Sequence, residues 1–390
     1  MSSSRSQILL FFAAVACVSV ALGVHDSIFN NFLSDTYSMS AKARGWLELP
    51  REAPGFLVVL TAGLLASLAV TRVGMIAALL YGLGMLGMAL LGGRFGTMMA
   101  AMCLGSAGMH LLQPVRATII ITLSDAHNRG RQMGVLGAVN TVGLIAGTGL
   151  VWLTFDKAAP QYRTGFLIAA VLAGATCMLY GLMHLPHLQE RRSRMIIRKR
   201  YWLYYLLELF FGARKQIFIT FGPWVLVRVY GAPVTSIAGL LMLAAVIGIV
   251  FKPLAGILID HFGERAILVA DGIILAFVCL GYGYAEWLTR NAHQALVLAS
   301  ACYVADNLLF ALGSGRAIYL SRLTNSPDEI SATLAMGVSI NHIVSMAIPP
   351  VAGAIWAGFG YQRVFLWAAV LAITISGLST LVPGKGARAG

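Results

Sequence analysis

Gly212-Ala213-Arg214-Lys215-Gln216-Ile217-Phe218 lies near the middle of a hydrophobic segment that runs from about Tyr201 to Val229. Two adjacent full charges at the centre of a bilayer cost about 2.5–3.5 kcal/mol each on insertion scales. Such charges usually face a partner or a water-filled cavity, and they mark a substrate or ion pathway. The stretch therefore predicts a polar centre within a bundle of membrane-spanning helices.

A related stretch occurs 189 positions earlier, in the first hydrophobic segment of the chain, and reads Gly23-Val24-His25-Asp26-Ser27-Ile28-Phe29. The glycine, isoleucine and phenylalanine recur in place, whereas Arg-Lys becomes His-Asp. Two related helices thus carry polar pairs of largely opposite charge at the same depth. We interpret this pattern as the centre of a transporter.

Composition places the chain among multi-span membrane proteins. Of its 390 residues 58% are hydrophobic and 11% charged, and the mean hydropathy is +0.80, whereas soluble domains carry about 25% charged residues. The net charge of +13 suggests no nucleic-acid partner, because no binding motif accompanies it and much of it lies in one stretch between two apolar segments. That stretch contains Arg191, Arg192, Arg194, Arg198, Lys199 and Arg200.

The hydropathy pattern predicts twelve spanning helices, a number that the chain length accommodates. With both termini cytoplasmic, 14 basic residues fall on the inner side and 9 on the outer side, which favours this orientation. The predicted segments are 7–33, 45–70, 73–92, 97–122, 131–154, 163–185, 201–229, 234–258, 266–288, 295–320, 331–357 and 361–382.

An internal repeat relates the two halves of the chain. The eight residues from Phe166 to Ala173 match those from Phe365 to Ala372 at seven positions, and Arg116-Ala117 parallels Arg316-Ala317. The offset rises from 189 early to 199–201 late, so one insertion separates the halves. Six helices per repeat keep both copies in the same orientation. We predict an N-terminal half over 1–186, a basic cytoplasmic linker over 187–200 and a C-terminal half over 201–390.

The stretch Gly256-Ile257-Leu258-Ile259-Asp260-His261-Phe262-Gly263-Glu264-Arg265 resembles a loop signature of the major facilitator superfamily. Gly256, Asp260, Gly263 and Arg265 match it, and His261 stands where a basic residue is usual. The first-half copy, Ser67-x-x-x-Thr71-Arg72-Val73-Gly74, lacks the aspartate and the leading glycine.

The resemblance covers the whole chain and implies an all-α secondary transporter that works by alternating access in the inner or plasma membrane. In that family the signature loop is cytoplasmic and latches the outward-facing state. The resemblance therefore implies a conformational latch formed by Asp260 and Arg265 with Gly256, Gly263 and Arg72. Because the first half lacks its aspartate, a symmetric latch is not expected.

Spacing groups polar residues on the two related helices. Asp26 and Asn30 are one turn apart and share a face of the first helix, and Glu208 lies two turns before Lys215 on the seventh. An aspartate in hydrocarbon takes up a proton, whereas one beside a basic partner stays ionised. We therefore predict proton coupling through Asp26, His25 and Glu208. The alternative is a permanent ion pair that ties the halves together.

The planar guanidinium of Arg214 suits a carboxylate or phosphate, which predicts a small organic anion or zwitterion as substrate. In the alternative, Asp306 neutralises Arg214 or Lys215, and the asparagines only pack between helices. Arg116 and Arg316 are interpreted as residues near helix ends that snorkel or bind loop carbonyls. The predicted substrate-binding residues are Arg214, Lys215, Asp26, His25, Asn30, Asp306, Asn307, His110, Asn140 and Asn341.

The sequence lacks a Walker motif and the common hydrolase motifs, so neither ATP-driven transport nor an enzyme is predicted. The five cysteines form no CxxC pair, and we expect no cofactor and no metal site. The expected partners are a small-molecule substrate, protons and the lipid bilayer, with the protein a monomer. Two alternatives stay open: an efflux carrier for cationic or apolar compounds or a metal ion, and a non-transporting sensor on the same scaffold.

Overall fold

A computed structural model of the chain describes residues 4–65, 68–124, 129–185, 197–324 and 327–384. Within these ranges the chain forms twelve long helices and no strand. They are α1 (Ser4–Tyr37), α2 (Ala41–Leu65), α3 (Val70–Leu91), α4 (Phe95–Leu123), α5 (Arg129–Thr154), α6 (Tyr162–Leu182), α7 (Trp202–Arg228), α8 (Val234–Phe262), α9 (Glu264–Gly283), α10 (Ala292–Leu323), α11 (Pro327–Phe359) and α12 (Tyr361–Ser379). The twelve predicted segments correspond to these helices in order.

Helices are the expected solution for this composition, because a helix satisfies its backbone hydrogen bonds within one segment when no water is available. Ten of the twelve are long and apolar enough to cross a membrane by length and composition alone. The other two are α2 and α7. Charge distinguishes them, since the first half of α2 carries five charged residues and the centre of α7 carries three.

Helix α10 is interrupted by a 3-10 turn at Phe310–Gly313. The connection between α9 and α10 contains a short helix, Ala285–Leu288. The corresponding connection between α3 and α4, from Leu91 to Phe95, contains no helix. The repeat offset changes from 189 to about 200 between these two pairs of helices. The connection from α9 to α10 (284–291) is five residues longer than the connection from α3 to α4 (92–94), so it accounts for five of the 11 residues by which the offset rises.

The chain divides into two compact units. Unit 1 contains Met1–Ser38, Pro50–Arg191 and Ala232–Val246, and unit 2 contains Met39–Leu49, Arg192–Gly231 and Ile247–Gly390. The first turns of α2 thus belong to unit 2, and the first half of α8 belongs to unit 1. The predicted division at the linker stays a prediction, and residues 187–196 of that linker lie outside the described ranges.

The two units repeat one packing arrangement. In unit 1, α1 packs against α5 and α6, and α3 packs against α4 and α6. In unit 2, α7 packs against α11 and α12, and α9 packs against α10 and α12. The repeated sequence on α6 and α12 occupies the same environment in each copy, because the same three of its positions are fully buried in both. These positions are Phe166, Ala169 and Ala173 on α6, and Phe365, Ala368 and Ala372 on α12.

Two glycines related by the 189-residue offset permit close helix contacts. A Cβ on Gly23 of α1 would lie 2.7 Å from the carbonyl oxygen of Leu144 on α5. A Cβ on Gly212 of α7 would lie 2.7 Å from Oδ1 of Asn341 on α11. The glycines therefore bring α5 and α11 against the polar stretches of α1 and α7.

Candidate functional site: polar clusters inside the two units

Arg214 is completely buried in unit 2, where it forms an ion pair with Asp306 of α10. Its guanidinium carbon lies 5.6–5.9 Å from the ring centroids of Phe211, Phe218 and Phe310. Aromatic faces attract the cation and exclude water from it. The contacts agree with the alternative in which Asp306 neutralises Arg214, and Arg214 offers no exposed surface to a ligand.

Glu208 of α7 joins three helices of unit 2. Its Oε1 accepts a hydrogen bond of 2.8 Å from Nε of Arg316 on α10, and its Oε2 accepts one of 2.6 Å from Nδ2 of Asn341 on α11. The guanidinium carbon of Arg316 also lies 3.5 Å from the ring centroid of Phe211. Arg316 is only 6% exposed, so its interpretation as a snorkelling residue is wrong. Both carboxylate oxygens of Glu208 are used within the unit.

Unit 1 contains a corresponding cluster on α1, α4 and α5. Oδ1 of Asn140 accepts a hydrogen bond of 2.8 Å from the hydroxyl of Ser19 and one of 3.2 Å from Nη1 of Arg116. Nε of Arg116 donates to the carbonyl of Leu112 at 3.3 Å, so this arginine does bind a main-chain oxygen, one within its own helix. Among the described residues, no carboxylate lies within ion-pair distance of Arg116.

The repeat offsets show that these clusters are the same site in two versions. Ser19 precedes Glu208 by 189 residues, Arg116 precedes Arg316 by 200 and Asn140 precedes Asn341 by 201. The arginine and asparagine are kept, but the carboxylate of unit 2 is replaced by a serine hydroxyl in unit 1. Unit 2 therefore neutralises its arginine internally, and unit 1 gives its arginine only neutral acceptors.

His25 and Asp26 lie side by side in unit 1, with Nδ1 of His25 3.0 Å from Oδ1 of Asp26. The side chain of Asp26 is 51% exposed and that of His25 is 13% exposed. The buried hydroxyl of Tyr81 on α3 is within electrostatic reach of both Asp26 and Arg116. Asn30, one turn beyond Asp26, is buried in the same unit.

His110 of α4 approaches a carboxylate that the sequence interpretation did not consider. Its Nε2 lies 3.9 Å from Oε2 of Glu52 on α2, and the other oxygen of that carboxylate, Oε1, lies 3.2 Å from Nη2 of Arg51. Both His110 and Glu52 are mostly buried.

Two further predicted residues lie in unit 2. The side-chain amide of Asn307 donates to the carbonyl of Tyr303 one turn earlier, at 2.8 Å. Lys215 is partly buried.

The residues predicted to form the latch lie around the end of α8 and the start of α9 and α3. Asp260, Arg265 and Arg72 are exposed, and a Cβ on Gly256 would meet open space. Gly263 has φ +82°, a conformation that favours glycine between two helices. The adjacent Glu264 is 2% exposed and forms an ion pair of 2.9 Å with Arg322 of α10. The latch role stays a prediction, and Ser67 lies outside the described residues.

Buried carboxylates missed in the sequence form two further groups in unit 2. Arg44 and Glu48 pair across one turn of α2, and Glu48 also accepts a 3.2 Å hydrogen bond from Gln216 of α7. Arg44 is 1% exposed, although it lies one residue before the predicted second segment. Asp271 of α9 is fully buried and neither of its oxygens has a hydrogen-bond partner in the described part of the chain. The sequence did contain a sign of both groups, since Glu48 and Asp271 are carboxylates inside predicted spanning segments.

The fold is shared with solved transporter structures. A mutant form of the nucleoside transporter NupG has a TM-score of 0.79 at 14% identity, covering 96% of this chain and 99% of that one. A D-xylose-proton symporter has a TM-score of 0.77 at 15% identity, covering 97% and 98%. A bacterial homologue of the human lysosomal transporter Spinster, in an inward-facing and occupied conformation, has a TM-score of 0.73 at 14% identity, covering 96% of each chain.

Sequence comparison agrees with this fold. An uncharacterized MFS-type transporter of Methanocaldococcus jannaschii is 28% identical over 281 residues, which are 67% of this chain and 66% of the relative, just under two thirds of its length. The sequence profile of the Major Facilitator Superfamily matches residues 11–338. The protein is therefore a multi-pass integral membrane protein, and it belongs to the major facilitator superfamily.

Proposed function

We propose that the protein is a secondary transporter that moves a small organic anion or zwitterion together with a proton. The observation that carries this proposal is the difference between the two matched arginines. Arg316 is neutralised by Glu208, whereas Arg116 contacts Asn140 and a main-chain carbonyl. A guanidinium without an internal carboxylate attracts an external one, because buried charges are stable only when paired.

The surroundings of Arg116 add neutral hydrogen-bond donors. The hydroxyls of Tyr81 on α3 and Tyr180 on α6 are buried without a hydrogen-bond partner among the described residues, and both are within electrostatic reach of Arg116. Hydroxyl groups donate to carboxylate or phosphate oxygens. An anion beside Arg116 would satisfy groups that the protein itself leaves unsatisfied, and binding of this kind contributes more than the same contacts made in water.

Proton coupling follows from the electrostatics of the same unit. Asp26 and Arg116 both influence the hydroxyl of Tyr81. An ionised Asp26 therefore repels an incoming anion, and protonation of Asp26 removes that repulsion. Nδ1 of His25 lies 3.0 Å from Oδ1 of Asp26, within hydrogen-bond distance for proton transfer between the two side chains. Proton binding and anion binding should thus favour each other, which is the requirement for symport.

The sequence-based assignment of Arg214 and Glu208 changes under this proposal. Arg214 balances Asp306, and Glu208 balances Arg316, so both act as internal charge pairs of unit 2. Efflux of cations would use Asp26, Glu208 and Asp306 to attract the cation. It is less well supported, because Glu208 is already neutralised by Arg316 and Asp306 by Arg214. Asp26 is the third and is half exposed. A sensor role has no specific observation in its favour.

A thermal-shift screen of the purified protein tests the anion proposal. We expect monocarboxylates or phosphate monoesters, but not amines or divalent metals, to raise the melting temperature, with a larger effect at mildly acidic than at neutral pH. Arg116→Gln should remove the stabilisation, because it keeps hydrogen-bonding capacity and removes the charge. Arg290→Gln, at an exposed position outside both clusters, is the matched control and should retain it. Stabilisation by amines that survives in Arg116→Gln would contradict the proposal.

A further inference from the structure

A buried group of three charges in unit 2 is not used by the proposed anion site. Arg214 and Asp271 are fully buried and Asp306 is 2% exposed. Arg214 pairs with Asp306, and Asp271 interacts electrostatically with both. Their formal charges add to one excess negative charge. An uncompensated charge in such an interior is far more costly than a neutralised one.

The polar atoms of the group are not satisfied by the protein. Nε and Nη2 of Arg214 and both carboxylate oxygens of Asp271 are buried without a hydrogen-bond partner in the described part of the chain. Buried carboxylate oxygens rarely stay unpaired in native proteins. A carboxyl that carries a proton avoids the charge, whereas an ionised Asp271 would require a cation that its own surroundings do not supply.

The other titratable groups around the three charges do not remove the excess. Arg316 is within reach of Asp271, but it is neutralised by Glu208. The thiols of Cys279 on α9 and Cys302 on α10 interact electrostatically with the group and add no positive charge. Helix α12 packs against α9 through small residues, since a Cβ on Gly272 would lie 2.7 Å from Ala372 and from Ser376.

The fold does not require these charges. At the repeat offsets, Gly82, Ser106 and His25 of unit 1 correspond to Asp271, Asp306 and Arg214 of unit 2. Unit 1 packs its helices in the same pattern with two of the three positions uncharged. The three charged residues Arg214, Asp271 and Asp306 thus occur together in one half only. Their one cation and two carboxylates determine what this group can bind.

We infer that Asp271 and Asp306, with Arg214 as the fixed cation, form a closed site that binds one proton in the interior of unit 2. The proton adds to a carboxylate oxygen of the aspartate that Arg214 does not pair with, and no other bond changes. A metal cation fits less well, because hard cations take six or more oxygen ligands whereas aromatic rings and thiols border this group. The inference does not depend on which substrate the protein carries.

Infrared spectroscopy of the whole chain in lipid at neutral pH tests the site. The wild type should show the absorption of a protonated carboxyl group. Asp271→Asn and Asp306→Asn should each lose it, because either change leaves one carboxylate for Arg214 to neutralise. Asp156→Asn, in the exposed turn after α5, is the control and should retain it. No protonated carboxyl in the wild type, or its persistence in either variant, would overturn the inference.

Stability provides a second measurement with the same variants. Asparagine has the shape and the charge of a protonated aspartate, so Asp271→Asn should melt within a few degrees of the wild type at neutral pH. Strong destabilisation would mean that Asp271 is ionised and structurally required, which contradicts the inference. If Asp271→Asn cannot be purified, that outcome counts as destabilisation, and the infrared band of Asp306→Asn remains an independent test.

Discussion

Arg214→Gln should lower the free energy of unfolding by about 3–5 kcal/mol, the usual cost of removing one partner from a buried ion pair. The substitution leaves Asp306 buried without its cation, and it removes the charge with the strongest electrostatic influence on Asp271. The guanidinium also fills a space between three phenylalanine rings. Denaturant unfolding in mixed micelles, followed by circular dichroism, measures the change.

The control for this prediction separates charge from packing. Replacing both members, as Arg214→Leu with Asp306→Leu, should recover most of the lost stability, because apolar side chains can substitute for a buried pair at little net cost. Arg290→Gln removes an exposed arginine of the same unit and should change stability by less than about 0.5 kcal/mol. If Arg214→Gln lost no more than the exposed control, the ion pair would not have the role assigned to it.

Ser19→Glu should weaken binding of the stabilising anion by roughly 10- to 100-fold, since hydrogen bonds to charged groups contribute about 1.5–3 kcal/mol. The new carboxylate occupies the position that Glu208 has in unit 2, and it can pair with Arg116 as Glu208 pairs with Arg316. The protein would then supply internally the charge that the substrate is proposed to bring. Titration of the melting temperature against anion concentration gives the apparent affinity.

Ser19→Gln is the matched variant, because glutamine has the size of glutamate without its charge. It should weaken binding much less than Ser19→Glu does. Equal losses in the two variants would assign the effect to crowding of a buried position, since Ser19 is 3% exposed. Unchanged binding in Ser19→Glu would place the anion away from Arg116.

The architecture could be predicted because its signals are additive along the sequence. Twelve apolar segments, the repeat around Phe166 and Phe365, and the rising offset each indicate the same two-fold arrangement of helices. The structure places five residues of the rising offset in the longer connection before α10, which contains the short helix Ala285–Leu288. Ten helices are apolar enough to be recognised as membrane spans, and α2 and α7 are not, because they carry more charged residues.

The partners of the charges could not be predicted uniquely, because each pairing depends on which helices meet. The pairing of Arg214 with Asp306 is one of two alternatives that the sequence leaves open. Depth along one helix suggested that Arg316 lies near an end, yet Glu208 on α7 and Phe211 hold it in the interior. The planar guanidinium of Arg214 suggested that this residue binds substrate, yet Asp306 on α10 neutralises it. The repeat itself points to the difference between the two arginines. The 189-residue offset relates Glu208 to Ser19, so the carboxylate that pairs with Arg316 in unit 2 is replaced by a hydroxyl in unit 1.

Uptake into proteoliposomes measures proton-coupled anion transport and its dependence on Arg116. With the anion found in the thermal screen at equal concentration on both sides at the start, an inwardly directed proton gradient should drive its accumulation by the wild type, and a protonophore should abolish it. Arg116→Gln should not transport, whereas Asp26→Asn should still exchange the anion across the membrane but lose accumulation driven by the gradient. Accumulation of the anion by Arg116→Gln at the wild-type rate, or uptake by the wild type that is independent of the proton gradient, would contradict the account.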